Sequence, residues 1–189
     1  MALSISNFKR NFTNIARPNK YKVFLPIVLG GNGFDGGATF IGRNANKLDL
    51  LCNTVTFPGR QILSVDHYTS MRAVQKAYAF GAGTFSIGFI LTDDWFAWDY
   101  LNAWQNSVIE NVESDRQNYR MNFKDEYSAD VDLHHLNNAG VTRKAVRMFN
   151  CFPTTLNQID FSGSAATEAI YCTAEFQFDN WTDLRIDRG

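Results

Sequence analysis

The chain has 189 residues, 45% of them apolar and 20% charged, with 18 basic and 19 acidic side chains and a formal net charge of −1. By length that is one domain, or two small ones at most, with enough apolar material to bury a core, which excludes a disordered chain, and the balanced charge excludes a basic nucleic-acid binder. No apolar run approaches the ~20 residues of a membrane helix, so no membrane anchor is expected, and residues 1–16 lack the apolar core of a secretory leader.

Sixteen Phe, seven Tyr and four Trp against only four Pro favour strands and packed surfaces over linkers. Residues 20–29 (KYKVFLPIVL) read as a strand, with Pro26 marking an edge or bulge. The glycine- and asparagine-rich stretch 30–46 reads as a flexible loop between strands. Residues 47–56 are expected to form a second strand, closed by the Pro58-Gly59 turn, and 61–68 a short extended piece. Residues 72–80 and 84–92 read as a β-hairpin turning at Gly81–Gly83. In the second of these, Phe85, Ile87, Phe89 and Leu91 share one face.

One helix is expected over 94–109. Thr92, Asp93 and Asp94 offer capping oxygens, and Ala97, Leu101, Trp104 and Val108 form an apolar stripe widened by Trp98 and Gln105. After a polar stretch, 129–136 alternates with Val131 and Leu133 on one face, Asn137–Gly140 turns, and 142–152 returns. The closing strand, 170–179, sets Ile170, Cys172, Ala174, Phe176 and Phe178 against Tyr171, Thr173, Glu175, Gln177 and Asp179. The fold class is mainly β, a sandwich or barrel with one α-helix, in a single domain over 1–189.

Catalytic chemistry finds little support. Gly31, Gly33 and Gly36 match GxGxxG, but no helix follows to hold a pyrophosphate. His134 and His135 are adjacent on a strand and point to opposite faces, so they do not readily share a metal; His134 with Asp132 lacks a third ligand. His67 has no serine in a nucleophile context. Cys52, Cys151 and Cys172 lack paired spacing and read as small buried hydrophobes. The reading is of no enzyme, no cofactor and no catalytic or metal residue. Two features point to assembly: more strands than a small sandwich closes, hence edges to be covered, and aromatic side chains near both ends (Phe8, Phe12, Trp181).

Five segments carry a resemblance. They are residues 12–23 (FTNIARPNKYKV), 51–59 (LCNTVTFPG), 84–94 (TFSIGFILTDD), 145–155 (AVRMFNCFPTT) and 176–181 (FQFDNW). In this order they resemble the tail tube proteins of T4-like contractile-tailed bacteriophages. The 30–46 loop and the tail beyond Trp181 run longer than the family pattern. The resemblance implies a tail-tube domain with an N-terminal arm (1–19), the 30–46 loop and a C-terminal tail (180–189). It implies six subunits to a ring sharing a continuous inner β-barrel, and rings stacked helically into a hollow tube. The implied partners are further copies, the tail sheath protein, the baseplate tube-initiator, the tail terminator, and the tape-measure protein and genomic DNA in the lumen. The tube guides DNA ejection; it belongs to the virion tail and is assembled in the host cytoplasm. A baseplate initiator of the same fold, or the tube of a related injection system, is the alternative.

On this basis Phe8, Phe12, Phe57, Pro58, Arg60, Tyr68 and Trp181 are expected at contacts between subunits or rings. Gln75, Ser86 and Thr92 are expected at the lumen, which should lack basic groups that retain DNA by salt-sensitive contacts; if Arg72 or Lys76 faces inward, nearby acids are expected to neutralise it. Asp94, Asp99, Asn102 and Asn106 are expected on the outer, sheath-facing side.

Overall fold

A computed structural model describes residue 5 and residues 16–26, 47–69, 71–81, 83–113, 118–161 and 169–185. Phe8, Phe12, the GxGxxG stretch and the 30–46 loop lie outside the described residues.

The elements in chain order are β1 (Tyr21–Phe24), β2 (Cys52–Val55), β3 (Ile62–Thr69), β4 (Arg72–Phe80) and β5 (Gly83–Ile90). Helix α1 (Phe96–Val108), β6 (Ile109–Glu113), β7 (Asn118–Met121) and helix α2 (Lys124–Tyr127) follow. The chain closes with β8 (Ala129–Leu136), β9 (Thr142–Leu156), β10 (Tyr171–Phe178) and β11 (Asn180–Asp183). The main sheet runs β1-β8-β9-β10-β5-β2, all antiparallel, with β11 also paired to β9.

Strand β9 joins two layers. Its first part pairs with β8 and β11; from Phe152 it pairs with β10. The change comes at Asn150, whose φ of 55° places it in the left-handed region. Asn is one of the few side chains that tolerate this. Its backbone N–H donates to Asp130 (3.3 Å), its amide to Asp179 (2.9 Å), and Lys124 pairs with Asp179 at 2.6 Å. Ala129 opposes Cys151 while Val131 opposes Met148, so the corner is a bulge, which sharpens local bending and twist.

The core lies between the layers. Val131, Leu133, Val146 and Met148 on one side meet Phe85, Ile87, Phe89, Cys172, Ala174 and Phe176 on the other, all buried. Phe85 and Phe176 stack with centroids 5.1 Å apart. Helix α1 packs on β9 and β10, burying Phe96, Ala97, Tyr100, Leu101 and Trp104. Each such large side chain contributes about 1.5–3 kcal/mol when fully covered. The alternation expected in β5, β8 and β10 is found. On α1, Ala97, Leu101 and Trp104 are buried as expected, but the stripe widens toward Phe96, Tyr100 and Ser107, and Val108, Trp98 and Gln105 are only half-buried.

Several expectations are corrected. Residues 47–51 are helical, and only 52–55 are strand. Leu48 is buried and Leu51 half-buried, a three-residue spacing that suits a helical turn, while Asp49 accepts the Val23 N–H. Residues 72–80 do not pair with 84–92. Strand β4 pairs with β3, while β5 pairs with β10 and β2, because Phe85, Ile87 and Phe89 require a covered layer. The polar stretch after α1 holds the β6–β7 ribbon and the short α2. Helix α1 begins at Phe96 rather than 94. Its N-cap residue is Trp95, left-handed at φ 50°, and Trp95 makes no side-chain cap. Strand β9 extends to Leu156, past the expected 152.

Candidate assembly interface

The β3–β4 ribbon is the unusual part of the molecule. Its strands pair only with each other among the described residues, so both outer edges are open. Nearly every one of its side chains is exposed. Large apolar groups stand in solvent on it: Tyr68 is 74% exposed, Tyr78 65%, Phe80 61% and Ile62 61%. A two-stranded ribbon is marginal in water by itself, and an open apolar edge is a template for another strand.

Cross-strand register defines two faces toward the tip. Ser64, Asp66 and Tyr68 oppose Ala77, Gln75 and Ala73, a face of small and polar groups apart from the exposed Tyr68 ring, on which the Gln75 amide donates to Asp66. Val65 and His67 oppose Lys76 and Val74, with Arg72 beside them, a face at once apolar and basic. Gln75, expected at the lumen, is therefore on the side of the ribbon opposite to Arg72 and Lys76.

A second surface is the outer side of the β2-β5-β10-β9 layer. Thr54, Thr84, Ser86, Thr155, Thr173, Glu175 and Gln177 line it, with one charge among seven residues. Thr56 and Ser86 share a hydroxyl bond of 2.8 Å beside them. A Cβ at Gly88 would lie 2.4 Å from Thr54 Oγ1, so the hydroxyls crowd the middle of this face. Ser86 is on it. Thr92 is not; it follows β5 and donates to Asp94.

The other expected contact residues separate. Pro58 is buried within the chain. Phe57, Arg60 and Trp181 come together, 121 residues apart in sequence for the last two. The Arg60 guanidinium lies 4.4 Å from the Trp181 ring centre and 5.1 Å from that of Phe80, and it donates to the Trp181 carbonyl at 3.0 Å. Trp181 Nε1 donates to the Gly59 carbonyl at 2.8 Å, and Phe57 meets the Trp181 ring edge-on at 6.5 Å. Phe80 and the bridging role of Arg60 were missed from the sequence; an Arg flanked by aromatic residues is a weak signal until the strand register is known.

Asp99, Asn102 and Asn106 are exposed on α1. Asp94 precedes the helix. Lys47, then Thr92, hold its carboxyl down at about 2, with the Phe96 backbone N–H adding to this. Trp95 meets Trp98 and the exposed Phe161, each at 6.1 Å, beside this acidic turn.

The histidine region has other work. Arg147 holds Asp132 through two bonds of 2.7 Å, His134 packs edge-on against Phe24 at 4.9 Å, and His135 Nε2 is 3.2 Å from the Arg17 carbonyl. These contacts are those of a β1-β8-β9 surface, with Asp132 already committed to a cation. Burial pushes the Cys52 and Cys151 thiols up to about 12 and Cys172 to about 11, which removes nucleophilic thiolate at neutral pH. No helix among the described residues is long and apolar enough to cross a membrane.

The family model described as phage tail tube protein matches residues 16–184. No curated protein matches the chain. Among solved structures, the chain is similar to one from the sheath–tube complex of an extracellular contractile injection system, PVC, in its extended state. Identity there is 11% and the TM-score 0.59, over 98% of this chain and 100% of that one. It is similar to a chain of the anti-feeding prophage baseplate at 11% identity and TM-score 0.58, covering 92% and 97%. A chain of the anti-feeding prophage tube-terminating cap gives 11% and 0.56, covering 98% and 95%. At these identities the likeness is one of fold.

Proposed function

The chain belongs to the phage tail tube protein family, and on that premise we propose that six copies close into a ring and that rings stack helically into the hollow tube of a contractile tail. The observation that carries this reading is the β3–β4 ribbon, which among the described residues has two open edges and exposed apolar groups. Pairing the ribbon with neighbouring copies around a ring removes its open edges and gives a continuous inner β-barrel. Side-by-side contacts then close, while head-to-tail contacts between rings stay open and produce a filament.

The hydroxyl-rich face of the β2-β5-β10-β9 layer, together with the Gln75 face of the ribbon, suits the lumen. A lumen that passes DNA must not hold it, and each basic contact to phosphate adds salt-sensitive affinity. The layer face carries no Lys or Arg among the residues named above, and the ribbon turns Arg72 and Lys76 the other way. The exposed polar side of α1 and the Asp94 turn face the contractile sheath. The tape-measure protein and genomic DNA occupy the lumen. A baseplate initiator and a tail terminator bound the tube, which is assembled in the host cytoplasm into the virion tail and guides DNA ejection. Nothing in this function calls for catalysis.

A second reading, a baseplate tube-initiator, is favoured by the likeness to the anti-feeding prophage baseplate chain. Electron microscopy of purified protein with added tail baseplates, with mass by light scattering, tests both. A tube subunit extends the baseplates into filaments of uniform width. An initiator adds one ring and stops. A protein that stays monomeric and ignores baseplates contradicts both readings.

A further inference from the structure

At the root of the ribbon, Arg60 bridges β4 and β11. Gly81 N–H donates to the Gln61 carbonyl at 2.9 Å, closing the ribbon where it leaves the main sheet. Arg60, one residue before that closure, lies between Phe80, the last residue of β4, and Trp181 of β11. Trp181 is fixed independently, since β11 pairs with β9 with Trp181 opposite Met148. The reciprocal bonds Arg60 to the Trp181 carbonyl and Trp181 Nε1 to the Gly59 carbonyl lock both partners in one geometry. A planar guanidinium does this between two rings; an ammonium does not.

We infer that Arg60 is a positioning residue that fixes the angle of the β3–β4 ribbon to the sandwich, so that each subunit presents its ribbon in the orientation a second copy accepts. The inference deepens the tube reading and rests on it for the second copy; the angle itself does not depend on it. Geometry makes the angle matter. Eight residues of strand reach ~26 Å, so a swing of ~10° at the root moves the tip by ~4.5 Å, close to the whole ~4.8 Å spacing between paired strands. A ribbon free to swing that far presents its edges to the wrong register. Among the described residues the ribbon adds no side chain to the buried core, so loosening it leaves the core as it was.

The test labels Met71→Cys at the tip and Asn138→Cys in the turn before β9 with nitroxides, both sites being exposed. The distance distribution between them is measured in the monomer, in the parent and with Arg60→Ala, Arg60→Lys or Trp181→Phe. Arg60→Ala is expected to broaden the distribution by several ångströms, the displacement of a ~10° swing, and Arg60→Lys to broaden it less. Trp181→Phe, which keeps a ring but loses the indole N–H, falls between parent and Arg60→Ala. The core melting temperature stays at the parent value in the two Arg60 variants, whose side chain lies outside the core, and extension of parent seeds by Arg60→Ala requires about tenfold more protein, the effect of one exposed cation–ring contact and its hydrogen bond. A distribution as narrow in Arg60→Ala as in the parent overturns the inference, whatever assembly does. A core melting temperature that falls in step with broadening also overturns it, because Arg60 is then a stability residue. If the parent forms no polymer, the distance measurement still decides the angle, and it is the tube reading that fails.

Discussion

Trp104 donates its indole N–H to the Tyr127 carbonyl at 2.7 Å while its ring rests 5.5 Å from that of Phe176, so one fully buried side chain joins α1, α2 and β10. Tyr100 meets the same ring edge-on at 6.0 Å and donates its hydroxyl to the Pro26 carbonyl at 2.7 Å. Truncation at Trp104 leaves a cavity and an unpartnered carbonyl. Trp104→Ala should destabilise the monomer by about 3–5 kcal/mol and Trp104→Phe by clearly less, read from urea denaturation. Equal losses for the two would mean that the site collapses freely and the packing described here is not what holds the helix.

Gly83 and Gly88 lie on the same strand and should answer differently to alanine. A Cβ at Gly83 would sit 2.3 Å from Cζ of Phe178, a buried ring. At Gly88 the obstacle is Thr54 Oγ1, at 2.4 Å, on the exposed edge strand β2. A hydroxyl at an edge can rotate away; a ring in the core must displace its neighbours. Gly83→Ala should cost about 1–3 kcal/mol and Gly88→Ala less, by thermal or chemical melting. The reverse order contradicts the assignment of inner and outer faces.

The three thiols should be inert in the folded chain. With Cys52 and Cys151 raised to about 12 and Cys172 to about 11, chiefly by burial, almost no thiolate is present at pH 8. A colorimetric thiol reagent at pH 8 should find no fast-reacting group before denaturation and all three afterwards. A stoichiometric fast phase in the native protein would show an open thiol and contradict the packing around it.

Acid should weaken the fold through Asp94 and Asp179. Lys47, then Thr92, hold Asp94 down at about 2; Lys124, then Asn150, lower Asp179. Both carboxyls release their protons more readily folded than unfolded, where the value is ~3.9. Their contribution is therefore complete above ~pH 5 and is lost as pH falls through the folded values. Melting temperature should fall from pH 5 toward pH 2, and Asp179→Asn should flatten part of that fall. The effect is small because both pairs are partly exposed. A steeper acid limb in Asp179→Asn would mean that the ionised Asp179 carboxylate does not stabilise the fold.

Strands with one covered face were legible in the sequence. Phe85, Ile87 and Phe89, or Cys172, Ala174 and Phe176, alternate because one side of each strand is core, and period two records that. The α1 stripe was legible for the same reason. The ribbon was not, because its apolar groups have no covered side within one chain, and Gly81 and Gly83 looked like the turn of a different hairpin. Leu48 and Leu51 gave too short a helical pattern to stand out in a β-rich chain. The bend at Asn150 and the meeting of Arg60 with Trp181 depend on strand register between distant segments, which local patterning does not record. Residues 180–183, expected in a terminal tail, are a strand paired to β9 that supplies half of the Arg60 contact.

The most direct measurement of whether the ribbon drives assembly is negative-stain microscopy and light scattering of the parent beside Val74→Asp/Tyr78→Asp. Both altered side chains are exposed, so the variant monomer should melt with the parent. The parent should form six-membered rings or hollow filaments, alone or on added baseplates, and the variant none. A variant that assembles as well as the parent, or a parent that stays monomeric even with baseplates present, would contradict the account.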